Sequence, residues 1–439
     1  MDIVVIGTGY VGITAVCLAD YGHKVTMLGR KKEKAEMINR GESPIYEPGL
    51  DEVLQRNIRA GRLSATTDYS VVKDADVVFI CVGTPSNDDG SIDLSSVKEC
   101  TTSIAEQLKE SAKYKVIVVK STVLPKTTKD FVVPLLEKHS GKKAGKDFGV
   151  CMNPEFLREG CGVYDFVNPD KIVIGGIDEK SQKTLTELYS GLDQKIPRIY
   201  TDVSTAEMIK YANNAALATR ISFVNEMANI CEQYGTDIYE IARAIGIDSR
   251  IGPKFLNAGA GFGGSCFPKD VKAIISGAKS VGIKPVLLES VMEVNDNQPH
   301  RMVDLAEKTI GDLTDKKISI LGLAFKPDTD DMRYARVVPV IQSLLQKHAK
   351  IKAYDPKAME TAREIFDNMI TFCDSIDSCV IDSDLVMIMT EWNEFKKMDL
   401  TKIKVPIVDG RRALDPEKVQ QHGIVYRGIG WKNNFGGTQ

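Results

Sequence analysis

The residues best equipped for chemistry stand in Gly259-Ala260-Gly261-Phe262-Gly263-Gly264-Ser265-Cys266-Phe267-Pro268-Lys269-Asp270, where four glycines bare the backbone ahead of a cysteine. Pro268 suits the first turn of a following helix, so Cys266 falls just before a helix N-terminus with Lys269 beside it. A thiol so placed is expected to titrate low and to act as a nucleophile. Asp270, one turn along, would orient a water or a base, or simply be a helix-start carboxylate favoured by the dipole. The other eight of the nine cysteines form no Cys-x-x-Cys pair and mostly sit in apolar stretches, where packing is expected. Five dispersed histidines complete the inventory, so neither a disulfide framework nor a metal site is favoured.

Two further patterns carry chemistry. Lys210 and Asn214 are four apart in a helical stretch, so a cation and an amide donor share a face and suit an oxyanion; a solvated face is the alternative. Gly7-x-Gly9-x-x-Gly12 lies between a β-branched run and an apolar helical run. In that setting Gly7 permits the tight turn, Gly9 brings backbone to a pyrophosphate and Gly12 lets helix and strand pack. The acid that usually reads the NAD ribose is missing, because the second strand ends in Gly29-Arg30-Lys31-Lys32. Arg30 there would accept a 2′-phosphate and so NADP; otherwise Lys34 and its neighbours touch the ribose or nothing. A second strand-to-glycine segment, Ile318–Phe325, has a single glycine and is expected to hold another ligand.

These groups need a scaffold. The chain has 439 residues, net charge −3 and 43% apolar residues, which fits sizeable cores and excludes disorder or a dominant nucleic-acid footprint. No apolar run reaches the ~18 residues of a membrane span, and the N-terminus opens on a strand, so a cytoplasmic protein is expected. Strands at Ile3–Ile6, Lys24–Leu28, Ala75–Cys81, Lys115–Val119, Phe148–Cys151 and Lys171–Ile174 alternate with helical stretches such as Ser95–Leu108 and Asp130–His139, which predicts a doubly wound α/β sheet. Ser204-Thr205-Ala206-Glu207 reads as a capping box opening a helix of roughly 45 Å that runs to Gly235. Shorter helices follow around Ile238–Ile245, Asp270–Val281 and Pro285–Asp304. Alternation then resumes at Lys317–Leu321, Ile351–Tyr354, Leu385–Thr390, Val405–Val408 and Ile424–Tyr426. The expectation is α/β: a Rossmann-like dinucleotide-binding domain over 1–199, a central helical segment with the cysteine loop over 200–305, and a second Rossmann-like domain for another ligand over 306–439.

Five motifs occur in order: Gly7-Thr8-Gly9-Tyr10-Val11-Gly12, Asn153-Pro154-Glu155-Phe156-Leu157-Arg158-Glu159-Gly160, the Lys210/Asn214 helix, Gly263–Asp270, and Phe325-Lys326-Pro327-Asp328-Thr329-Asp330-Asp331-Met332-Arg333. In these, over essentially its whole length, the chain resembles the UDP-glucose/GDP-mannose dehydrogenase family. The resemblance implies a four-electron oxidation of a sugar C6 alcohol to a carboxylate with two NAD⁺, through a thiohemiacetal and a thioester on Cys266. It implies that Lys210 and Asn214 stabilise the oxyanion, Asp270 and Thr122 handle a catalytic water, and Glu155 assists proton transfer; which of Lys210, Asp270 and Glu155 is the base stays open. Cofactor contacts implied are Gly9, Tyr10, Val11, Gly12, Thr84, Ser121, Thr122, Glu159, Lys269 and Arg333. Substrate contacts implied run from Glu155 through Phe156, Leu157 and Arg158 to Glu159, with Lys210, Asn214, Phe255, Asn257, Gly263, Phe325, Lys326 and Arg411. Arg250 resembles an arginine that reaches a neighbouring subunit's site, which implies a homodimer.

Two segments depart from the family pattern, Gly29 for an aspartate and Tyr334-Ala335-Arg336 for Glu-Ala-Pro or Glu-Ala-Ser, and a third feature is the Ser265-Cys266-Phe267-Pro268-Lys269-Asp270 form, where the N-acetyl-hexosamine branch usually shows histidine before the cysteine and no Lys-Asp. The last resembles the UDP-glucose branch more than the N-acetyl-hexosamine branch. The resemblance thus implies oxidation of UDP-glucose to UDP-glucuronate for polysaccharide precursors, with the same chemistry on GDP-mannose or a UDP-N-acetyl-hexosamine, or a non-catalytic sensor, as alternatives.

Overall fold

The apolar, β-branched runs form strands buried on both faces, as parallel sheets require. A computed structural model describes residues 1–432. The chain packs as two compact units, residues 1–213 with 272–281, and residues 214–271 with 282 onward. Residues 200–305 are divided between these two units.

In the first unit the strands are β1 (Asp2–Ile6), β2 (Lys24–Leu28), β3 (Leu63–Thr66), β4 (Val77–Ile80), β5 (Val116–Val119), β6 (Gly149–Met152), β7 (Ile172–Gly176) and β8 (Arg198–Thr201). They form one eight-stranded sheet in the order β3-β2-β1-β4-β5-β6-β7-β8. Every pairing is parallel except β6 with β7. Alternate residues of β1 feed opposite cores, Ile3 and Val5 one, Val4 and Ile6 the other.

In the second unit β9 (Lys317–Leu321), β10 (Lys350–Tyr354), β11 (Thr371–Phe372), β12 (Leu385–Ile388), β13 (Ile407–Asp409) and β14 (Tyr426–Gly428) form an all-parallel six-stranded sheet in the order β11-β10-β9-β12-β13-β14. Strand order reverses between β1 and β4 in the first sheet and between β9 and β12 in the second. At such a switch point the loops beyond the strands' carboxyl ends leave a crevice for ligand.

The long helix is Val203–Tyr234, 32 residues and about 48 Å. Its start differs from the predicted capping box. Asp202 Oδ1 accepts from the Ser204 and Thr205 N–H groups at 2.9 and 3.0 Å, so a carboxylate upstream of Ser204 caps the helix. Glu207 is buried and turns elsewhere, its Oε1 accepting from the Thr128 N–H at 2.7 Å. The helix predicted to end at Asp304 runs over Val286–Ile310 and passes through Pro299. Strands β3, β8 and β11 carry no signal in the sequence because they are short and partly exposed, with no apolar run to mark them. Among the described residues no helix is long and apolar enough to cross a membrane.

Candidate active site

The glycine turn stands at the switch point of the first sheet. The Gly7 N–H donates to the Leu28 carbonyl at 2.9 Å, and a Cβ on Gly7 (φ +133°) would collide with the Cys81 carbonyl of β4's end. A Cβ on Gly12 would stand 2.7 Å from the Gly7 carbonyl oxygen. Both glycines are therefore dictated by packing. Gly9 is different: it is exposed and open space lies where its Cβ would be, so its backbone is bare to a ligand. Tyr10, Val11 and Gly12 form the short turn that leads into the helix Ile13–Asp20, and the Tyr10 hydroxyl donates to the Arg158 carbonyl. At the neighbouring strand ends Thr84 Oγ1 donates to the Thr122 carbonyl at 2.9 Å, and Ser121 Oγ to the Val82 carbonyl at 2.7 Å. Arg30, exposed, and Lys34, half-buried, come after β2. An open cradle at Gly9 beside a helix start, ringed by fixed hydroxyl loops, fits a dinucleotide pyrophosphate.

Beyond β6 the same unit holds a buried ion pair. Lys210 Nζ lies 3.0 Å from Glu155 Oε1, and Glu155 Oε2 accepts from the Leu157 N–H at 2.6 Å. Burial alone would raise the Glu155 carboxyl, but Lys210, the Leu157 N–H and the field of Lys120 together hold it below the usual carboxylate range. Phe156 is stacked under Lys171, whose Nζ is 4.0 Å from the ring centroid. Leu157 is half-buried, and Arg158, exposed, pairs with Asp165 at 2.6 Å. Glu159 is half-buried in the loop that leads to Gly160.

Behind Glu155 lies a residue that the sequence does not mark. Lys120, at the end of β5, is buried and donates to Asn153 Oδ1 at 2.8 Å, while Tyr189 donates to the same oxygen at 2.6 Å. Burial pulls the Lys120 ammonium down to about 8. Glu47 is likewise unmarked; its carboxylate accepts from the Gly160 and Gly162 N–H groups and ties down the loop after Glu159. A lysine in an apolar strand run and a glutamate in a loop give no periodic signal.

The cysteine loop belongs to the second unit. Cys266 is half-buried, its carbonyl accepts from the Asp270 N–H at 2.8 Å, and the helix Phe267–Ser280 begins at the next residue. Cys266 therefore caps the helix and its thiol stands at the positive end of the dipole. Ser265 Oγ lies 3.5 Å from Cys266 Sγ. Asp270 is buried, with Oδ2 accepting from Asn214 Nδ2 at 2.6 Å and Oδ1 from Lys269 Nζ at 2.6 Å. Lys210 thus pairs with Glu155, and Asn214 donates to Asp270. Of the other cysteines seven are buried and Cys161 is exposed. Burial pushes the thiols of Cys17, Cys81, Cys100 and Cys379 up to about 12, the behaviour of packing groups.

Backbone contacts shape the loop. A Cβ on Gly263 would strike the Tyr334 carbonyl, and one on Gly264 would stand 2.7 Å from the Phe325 ring. Asn295 brackets Phe262, accepting from its N–H at 2.7 Å and donating to its carbonyl at 3.2 Å. Asn225 accepts from the Gly259 N–H and Gln298 donates to its carbonyl, both at 2.8 Å. These three amides, buried on two helices, hold the loop and do not stand out in the sequence, where each resembles any helical polar residue. Arg336, one of the departures from the family pattern, is buried and pairs with Asp296 at 3.0 Å.

The remaining predicted residues of this unit follow β9 and β13 in the chain or precede the cysteine loop. Phe325 and Lys326 come after β9, with Lys326 Nζ 5.6 Å from the Phe325 centroid. Arg411 comes after β13, half-buried, its Nε donating to the Met389 carbonyl at 3.0 Å. Phe255 (φ +62°) lies 6.2 Å from the Phe267 ring. Asn257 is exposed, Arg333 is exposed and paired with Asp331 at 2.6 Å, and Arg250 is exposed and paired with Asp248 at 2.7 Å.

Two doubly wound sheets, one carrying a glycine turn open to a pyrophosphate, define a dinucleotide-dependent enzyme class. Comparison with known proteins narrows this. Residues 1–193 match the NAD binding domain, residues 204–297 the central domain and residues 319–416 the UDP binding domain of the UDP-glucose/GDP-mannose dehydrogenase family. The chain is 44% identical to UDP-glucose 6-dehydrogenase AglM of Haloferax volcanii, over 98% of this chain and 100% of that protein. It is 42% identical to UDP-glucose 6-dehydrogenase YwqF of Bacillus subtilis, over 98% of each. A solved UDP-glucose dehydrogenase from the hyperthermophilic archaeon Pyrobaculum islandicum superimposes with a TM-score of 0.93 at 38% identity, covering 98% of each chain. The chain belongs to the UDP-glucose/GDP-mannose dehydrogenase family, and is an NAD-dependent dehydrogenase of nucleotide sugars.

Proposed function

We propose that this enzyme oxidises the C6 alcohol of UDP-glucose to the carboxylate of UDP-glucuronate in two steps, with Cys266 as the covalent nucleophile. The observation that carries the reading is Cys266 at the start of a helix, with the Asp270 carboxylate one turn behind it fixed by Asn214 and Lys269. When bound, NAD⁺ accepts a hydride in each of the two oxidations. Gly9, Tyr10, Val11 and Gly12 hold its pyrophosphate, and Thr84, Ser121 and Thr122 line the adjoining strand ends.

Cys266 adds through sulfur to the aldehyde carbon left by the first oxidation, giving a thiohemiacetal whose oxygen bears the developing negative charge. Lys210 and Asn214 stabilise that oxygen. Loss of the second hydride from the same carbon leaves a thioester. Water, oriented by Asp270 with Thr122, attacks the acyl carbon, and the carbon–sulfur bond breaks to release the acid and the thiol. Glu155, kept ionised by its cationic neighbours, takes part in the proton transfers. Phe325, Lys326 and Arg411 hold the nucleotide sugar, the cations on its pyrophosphate. The family's UDP binding domain over 319–416 supports that assignment.

The domain division 1–199, 200–305 and 306–439, a homodimer in which Arg250 reaches the partner's site, and a cytoplasmic location complete the proposal. Sedimentation analysis of the native protein and of Arg250→Ala tests the dimer. The central test is stoichiometry on a panel of nucleotide sugars: about two NADH per UDP-glucose are expected under the two-step scheme. A ratio of one, full activity in Cys266→Ala, or preference for GDP-mannose overturns it.

A further inference from the structure

The end of β2 lies beside the end of β1, because Ile6 pairs with Leu28 and the Gly7 N–H donates to the Leu28 carbonyl. The residue after Leu28 therefore stands against the glycine turn. In a dinucleotide domain this position, about 20 residues beyond the turn, reads the 2′ position of the adenosine ribose. An acid there accepts from the free 2′-hydroxyl and repels a 2′-phosphate by like charge.

Here the position is Gly29, and the space a side chain would need is taken. A Cβ on Gly29 would stand 2.8 Å from Thr8 Cγ2, a short β-branched side chain with no far end to swing away. The next three residues are cationic. Arg30 is exposed at 76% of its side chain, with Glu99 Oε2 at 3.9 Å, a separation at which an ion pair is loose. Lys31, also exposed, adopts extended backbone as the residue preceding the helix Lys32–Asn39. Lys32 is paired along that helix with Glu36 at 3.7 Å. A guanidinium at this position can donate to a hydroxyl or to a phosphate, and a phosphate draws it more strongly.

We propose that this site takes NADP⁺ as well as NAD⁺, with Arg30 and Lys31 as the ligands of the 2′-phosphate. The proposal rests on the dinucleotide reading of the glycine turn and extends the cofactor range of that site. The family's NAD-binding character accounts for the turn and says nothing about the cationic strand end of this chain.

The test is direct binding of the reduced cofactors, read from nicotinamide fluorescence of NADH and of NADPH titrated with the native protein and with Arg30→Ala/Lys31→Ala. Native Kd values for the two are expected within about tenfold of each other. The double variant is expected to bind NADPH at least about tenfold more weakly while its NADH affinity moves by less than about threefold, and added salt to weaken NADPH more than NADH. Both side chains are exposed, so an unchanged thermal midpoint verifies folding. Native NADPH binding more than about a hundredfold weaker than NADH overturns the proposal, as do equal losses for both cofactors in the variant. If neither reduced cofactor binds the native protein, the dinucleotide reading of the glycine turn falls first.

Discussion

Lys210 Nζ lies 3.0 Å from Glu155 Oε1, with side-chain exposures of only 4% and 7%. Two charges so far from water hold each other in place, and truncating one partner of such a pair costs up to about 3–5 kcal/mol. The costs differ by side. Glu155→Gln takes the carboxylate away from both Lys210 and Lys120, whereas Lys210→Met leaves Glu155 with the Leu157 N–H and Lys120. Glu155→Gln is therefore expected to be the more destabilising in denaturant unfolding, and the double variant less destabilised than the two singles summed. The carboxyl's folded pKa is depressed, so its stabilising contribution is present above the unfolded value and lost as pH falls through the folded value. Glu155→Gln should flatten the acid limb of the stability curve.

Asp270 takes hydrogen bonds from Asn214 and Lys269, one on each oxygen. If it serves the water that cleaves the thioester, Asp270→Asn slows deacylation more than oxidation. Rapid-mixing absorbance should then show a burst of up to about two NADH per subunit, followed by a steady rate at least about tenfold below native. Loss of burst and steady rate in equal measure would assign Asp270 to an earlier step.

Legibility in the sequence tracks the strength of the physical signal. Strands β4 and β5 are four-residue apolar runs buried throughout and are plain in the sequence, whereas β8, half exposed, looks like any loop. The cysteine loop is legible because the Tyr334 backbone crowds Gly263 and the Phe325 ring crowds Gly264, and such requirements leave glycines. The amides that hold it, Asn225, Asn295 and Gln298, come from two helices far apart in the chain, and nothing local marks a helical amide that faces a loop. The capping box fails for a related reason: Asp202 and Ser204 both suit a cap, and only the path of the chain decides between them.

Glu207 offers a pH test of stability. Burial raises its carboxyl to about 7, against which hydrogen bonds from the Thr128 hydroxyl and N–H and from the Lys126 N–H offer partial relief. The folded state holds the proton more tightly than the unfolded chain, whose carboxyl titrates near 4.5. Between those values the folded protein carries more protons, so stability falls as pH rises through the interval, by at most about 3 kcal/mol. Glu207→Gln keeps the acceptor for Thr128 without the charge. Its thermal midpoint at pH 8 should exceed native, and the two should converge near pH 4.5. A variant less stable than native at pH 8 would show that the carboxylate is compensated.

Gly264 is required twice over. Its φ of +82° is a region where a Cβ costs roughly 1–2 kcal/mol, and that Cβ would stand 2.7 Å from Phe325 Cε2. The Gly264 N–H also donates to the Arg333 carbonyl at 2.9 Å, so the strain cannot be relieved by moving the loop without breaking that bond. Gly264→Ala is thus expected to lower stability by about 2–4 kcal/mol, combining backbone strain with overpacking. Phe325→Leu in the same chain opens room for the methyl group but leaves the backbone strain in place. Gly264→Ala/Phe325→Leu should therefore be more stable than the two losses added, with about the 1–2 kcal/mol of backbone strain persisting. Strict additivity in denaturant unfolding would mean that the ring and the glycine do not share the space between them, and that φ alone dictates the glycine two residues before Cys266.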